Sequence, residues 1–170
     1  EQGEGLMEVS DMEGEEIVHT HENSNSGHLA PQALFTDNFD IAPGEDYEIT
    51  FSGGHVESAR GIDVGDYIGG PVSSHQSVSA PNNIDDMDPE KLEVLWSSRP
   101  FPSGPTIIDP RLSDEIISGL ETAFMESGFA GTEMADQFGF AQFVELDYAT
   151  HWDIILTIQQ YNEVEYGEDL

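Results

Sequence analysis

The sequence predicts an α/β fold built on a largely parallel sheet. Three observations lead there. Short apolar runs of strand character, at 17–20, 47–52, 67–72 and 93–96, alternate with helical stretches. Pro-Gly and Gly-Gly pairs punctuate the alternation, at Pro43-Gly44 and Gly53-Gly54. No run approaches the ~18 apolar residues of a membrane span. The absence of cysteine excludes a disulfide framework and thiolate metal sites.

Taken in order, residues 6–16 read as a short helix or loop entering the strand 17–20. A helix carrying Leu29, Ala33, Leu34 and Phe35 follows and ends before Asn38. The strand 47–52 leads through Gly53-Gly54 into a helix that starts at His55, runs to Val64 and stops at Gly65. A strand at 67–72, a polar loop to Asp88 and a strand at 93–96 complete this half. Beyond Trp96 three prolines, Pro100, Pro102 and Pro105, mark an extended crossover. A short strand is expected at 106–108. Ser113 caps an amphipathic helix to Ser127, with Ile116, Ile117, Leu120 and Phe124 on one stripe. A short helix at 132–138, an extended piece at Phe143-Val144, a last helix at 149–161 and an acidic tail close the chain.

Charge is the unusual feature of the composition. Thirty-five Asp and Glu face one Lys (Lys91) and three Arg (Arg60, Arg99, Arg111), for a net charge of -31. The acids are spread along the whole chain, so their mutual repulsion opposes compaction at ordinary ionic strength. In molar salt the Debye length falls to about 3 Å and the repulsion is screened. The balance therefore points to a halophile, with an archaeal source expected. Nucleic acid and membrane insertion are poor matches for such a surface.

The stretch Asn23-Ser24-Asn25-Ser26 stands where a strand becomes a helix. Free backbone N–H groups and the positive end of the helix dipole gather there, and serine hydroxyls add donors. The turn suits a compact oxyanion, and its residue types equally suit a plain N-cap. His19 and His21 lie two apart on a strand, and His55 and His75 could converge, which keeps a His/carboxylate metal site open without any ligand-spacing signature. No Gly-x-Ser-x-Gly elbow is present and no serine has an evident base-and-acid pair, so an enzyme is not expected.

These motifs carry a family resemblance. Asn23-Ser24-Asn25-Ser26-Gly27-His28-Leu29-Ala30-Pro31 resembles the S-T-S-G-Y-L-x-P helix start of phosphonate-binding ABC-transporter proteins. Phe51-Ser52-Gly53-Gly54-His55-Val56-Glu57-Ser58 is similar to their F-x-G-x-H-x-x-S stretch. Gly65-Asp66-Tyr67-Ile68-Gly69 is a less faithful match to their G-x-x-D-A-A entry. Residues 97–105 and Asp109-Pro110-Arg111-Leu112 are similar to the crossover and the R-x-D-L after it. Gly139 through Tyr148 is like the C-terminal G-x-x-x-F-x-x-x-x-x-x-D-Y. The matches keep the family's order over almost the whole chain.

The resemblance implies a type 2 periplasmic-binding fold, two α/β lobes closing on a ligand, delivered outside the cytoplasm to an ABC permease. It assigns residues 6–98 to a ligand-binding second lobe, 99–105 to the hinge, 106–165 to the segment returning to the first lobe and 166–170 to a tail. The leading part of that first lobe has no counterpart here, so a fragment or a half-length protein is expected. Exposed helical stripes would then favour a homo-oligomer. By position Ser24, Asn25 and Ser26 fall on the run that holds the phosphonyl oxygens, and His55 on the ligand histidine. His75, counted with them as a ligand-binding candidate, and Gly104 fall on acidic positions that hold a ligand ammonium, which turns the expectation toward phosphate, phosphite or a simple alkylphosphonate. No cofactor is implied. The alternatives are a half-length interaction module without ligand and a His/carboxylate metal-binding protein.

Overall fold

The structure is a computed structural model that describes residues 6–74, 87, 92–102, 106–126, 128, 130–133, 135 and 142–163. The chain divides into two compact units, Glu1–Arg99 with Ile155–Leu170, and Pro100–Ile154.

In the first unit a 3-10 turn at Val9–Met12 leads to strand β1, Glu16–His19. A wide π-helical turn, Asn25–Leu29, runs directly into helix α1, Ala30–Phe39. Strand β2, Glu48–Phe51, then pairs parallel to β1 in the register Glu16↔Glu48, Ile17↔Ile49, Val18↔Thr50 and His19↔Phe51. Helix α2 spans His55–Val64 and ends at Gly65, whose φ of 82° is the left-handed conformation that a glycine adopts without a Cβ penalty. The order β1, α1, β2 with parallel strands is one βαβ unit.

β1 is buried on both faces, because Ile17, Val18 and His19 are all 0% exposed. Such a strand lies inside a sheet, and its second edge is indeed occupied: the Val18 N–H donates to the Gly69 carbonyl at 3.1 Å. The core around it joins Val9, Met12, Ile17, Phe35, Ile41 and Tyr47, with Leu95 and Trp96 packed against them. Fully burying one such side chain stabilises a fold by about 1.5–3 kcal/mol.

Several expected elements take another form. Residues 67–72 meet β1 through the Gly69 carbonyl but join no ladder among the described residues, where Pro71 has no N–H to give. Residues 93–96 and 106–108 likewise form no strand with any of the described residues. Leu95 and Trp96 bury their side chains on the core, whereas Ile107 is 85% exposed. The described sheet is therefore two-stranded. Helix α1 reaches Phe39, further than expected, because Asp40 in the left-handed region ends it with its N–H on the Phe35 and Thr36 carbonyls.

In the second unit helix α3, Asp114–Glu126, matches the expected amphipathic helix, and Phe124 meets the Phe143 ring edge-to-face at 4.9 Å. The expected helix at 132–138 lies largely outside the described residues. The last helix is interrupted at Trp152, giving α4, Tyr148–His151, in this unit and α5, Asp153–Asn162, which from Ile155 onward belongs to the first unit. The Asp153 carboxylate restarts the chain by accepting the Ile154 N–H at 2.8 Å. No helix among the described residues is long and apolar enough to cross a membrane.

Candidate functional site

Both helix starts issue from the carboxyl ends of the parallel strands, the edge where open α/β sheets bind ligands. Two backbone bonds hold those ends together. Ser52 N–H donates to the His19 carbonyl at 3.0 Å, and Gly53 N–H to the Thr20 carbonyl at 2.7 Å.

The first turn is shaped by its small residues. Ser24 Oγ accepts the Gly27 N–H at 3.1 Å, so Ser24 is an N-cap. Its carbonyl receives both the His28 and Leu29 N–H groups at 3.0 Å, which widens the turn to the π form. The amides of Asn25 and Ser26 stand at the start of the helix, where no intrahelical acceptor exists. Gly27 is buried, and its carbonyl takes the Thr20 N–H at 3.1 Å. A Cβ on Gly27 would overlap the Thr20 side chain, so this close approach of turn and strand requires glycine.

The second helix start brings His55 to the first. Ser26 Oγ and His55 Nε2 are 3.2 Å apart. The other ring nitrogen, Nδ1, accepts the Ser73 backbone N–H at 3.1 Å. Around this meeting point Asn25 Oδ1 and Ser73 Oγ are buried without a hydrogen-bond partner, as is Thr20 Oγ1 behind the turn. A buried orphan acceptor is costly, about 1–3 kcal/mol, and the Asn25 amide can present either its oxygen or its NH2 by rotation. Not every feature at α2 favours an anion. Glu57 folds its carboxylate over Gly54, where it already answers part of the positive end of that helix. His75 lies outside the described residues.

A second histidine cluster lies beneath the turn. His19 Nδ1 and His28 Nδ1 are 2.9 Å apart, and the rings meet edge-on at 5.0 Å. Gln32 Nε2 lies 2.8 Å from His28 Nε2. An amide NH2 can only donate, so His28 carries its proton on Nδ1 and gives it to His19 Nδ1. His19 is then protonated on Nε2, which is buried without a partner. Burial first, and the neighbouring His28 second, lower the His19 pKa to about 3. Burial also lowers that of His28, against the opposing pull of Glu22. Burial pushes the Tyr47 phenol, stacked near His19, well above its ordinary value.

Sequence reasoning misses His28, since nothing in its local pattern tells that it reaches His19. His19 and His21 do not act together: His19 is buried, while His21 is exposed and accepts the Asn23 N–H at 3.1 Å. Among the described residues no group of three or more histidines and carboxylates is arranged to hold a metal ion.

A family model described as ABC transporter, phosphonate, periplasmic substrate-binding protein matches residues 1–152. The chain belongs to that family. The family is one of transporter substrate-binding proteins, which is not an enzyme class; it is periplasmic or extracytoplasmic, and it implies a small-molecule ligand and an ABC permease as partner.

Proposed function

We propose that the chain captures a small phosphorus oxyanion, a phosphonate, phosphite or phosphate, for its permease. Ser24, Asn25, Ser26 and His55 are the proposed contacts. The observation that carries this reading is the 3.2 Å approach of Ser26 Oγ to His55 Nε2 across 29 positions of sequence. Two parts of the chain that supply hydrogen-bond donors thereby share one location. Ser24 Oγ accepts in the cap, which leaves its own hydrogen free to donate. Amides, hydroxyls and an imidazole can surround a tetrahedral anion with aimed dipoles, and molar salt screens the distant carboxylates.

The ligand is proposed to lack an ammonium group, because the family's acidic positions fall on His75 and Gly104. Titration calorimetry with phosphate, phosphite and methylphosphonate in molar KCl tests the reading, with zinc as a control. Binding of at least one oxyanion that weakens in Ser26→Ala and His55→Ala is expected. Heat from zinc alone, or oxyanion binding indifferent to both substitutions, would refute it.

A further inference from the structure

We infer that Ser73 is a positioning residue of this site, whose backbone amide holds His55 as an uncharged donor through Nε2. The inference rests on the reading that Ser26 and His55 meet the oxyanion. Nδ1 of His55 accepts the Ser73 N–H at 3.1 Å, so that nitrogen carries a lone pair and no proton. The neutral ring must then bear its hydrogen on Nε2, the atom 3.2 Å from Ser26 Oγ. With Nε2–H donating to Ser26, the serine's own hydroxyl hydrogen is free for a ligand oxygen. His55 therefore gives its one hydrogen to Ser26 and Ser26 gives its own to the ligand, and neither needs a positive charge to do so. An imidazolium would turn Nδ1–H against the Ser73 N–H and forfeit that bond. Ser73 thus selects one tautomer as well as one ring orientation.

A site made of neutral donors discriminates by geometry and hydrogen-bond count and tolerates a protein with a net charge of -31 around it. Among the described residues, the titratable groups on the elements around His55 are His28 in the π-helical turn, itself paired with His19 of β1, and Glu57, Arg60 and Asp63 on α2. Glu22, just ahead of the turn, acts on His28. The test below avoids their titration by working at one pH.

Two measurements decide the matter on the full chain in molar KCl at pH 7.5. Nitrogen-15 spectra of the labelled histidines are expected to show His55 with an unprotonated Nδ1 and a protonated Nε2. Ser73→Pro, which removes the amide hydrogen, is expected to mix the two tautomers. The second measurement is methylphosphonate affinity in three variants. Gln places its amide nitrogen where His55 has Nε2, whereas Asn is too short and Ala has no donor. His55→Gln is expected to lose about threefold, and His55→Asn and His55→Ala about tenfold or more, as for one hydrogen bond weakened or lost. A doubly protonated His55, or a Gln variant as weak as the Ala variant, would overturn the inference while leaving the binding site standing. Wild-type affinity in Ser26→Ala and His55→Ala would instead bring down the site reading beneath it.

Discussion

Acid should unfold this protein through a particular pair of side chains. His19 is fully buried and its pKa is held at about 3, against 6.5 for an exposed imidazole. The folded state therefore binds fewer protons than the unfolded chain between those values. Stability contributed by the neutral ring is present above pH 6.5 and is lost as pH falls toward 3. One proton difference gives a slope of about 1.4 kcal/mol per pH unit, so acidification from 6.5 to 4.5 removes about 2–3 kcal/mol through His19 alone. His28, also lowered by burial, adds in the same direction. The comparison is with His19→Asn, whose Oδ1 can still accept from the His28 Nδ1–H but which cannot titrate. Urea denaturation in molar KCl at half-unit steps of pH gives both slopes. The wild type should lose stability more steeply than the variant by about 1.4 kcal/mol per unit. Parallel curves would refute the argument, and would mean that His19 takes up its proton in the folded state as readily as in the unfolded one.

Gly27→Ala should cost about 1–3 kcal/mol in the same denaturation assay, because the added methyl meets the buried Thr20 and neither backbone can retreat. It should weaken oxyanion binding as well, since the turn that carries Asn25 and Ser26 must shift. Asn162→Ala should cost about 1–2 kcal/mol: its Nδ2 donates to the Leu29 carbonyl at 2.9 Å and to the Ile158 carbonyl at 2.8 Å, tying α5 to the end of the π turn. Faster amide exchange around Leu29 and Ala30 would accompany that loss. Lowering KCl from molar to ~0.1 M stretches the Debye length from about 3 to about 10 Å, so the melting temperature should fall. An unchanged melting temperature would show that the spread carboxylates do not strain the fold. Arg111→Ala should leave the urea midpoint unchanged, although its guanidinium holds the Asp109 carboxyl below the usual range, because both groups are at the surface.

What could be read from the residues was whatever depends on near neighbours in the chain. The polar run before Leu29 sits ahead of a helix because Ser and Asn satisfy first-turn amides better than they continue a strand. Gly65 stops α2 because the left-handed backbone there suits a residue without Cβ. Residues 67–72, 93–96 and 106–108 have strand composition but form no ladder among the described residues, since a strand needs a partner at the right edge and composition says nothing of partners. Pro71, next after Gly70, argues against the first of them because it cannot donate to a ladder.

The sequence by itself determined the βαβ order, the acidic surface, the capped turns and the residue types fit to meet an oxyanion. Only the tertiary structure decided which of those residues share a place. Ser26 and His55 come together because parallel pairing of β1 and β2 sets both following helices on one edge. The same folding buries His19 against His28 and lays the Ser73 amide on the His55 ring. Those contacts join residues 29, 9 and 18 positions apart, and their energies come from burial and direction, which exist only once the chain has closed on itself.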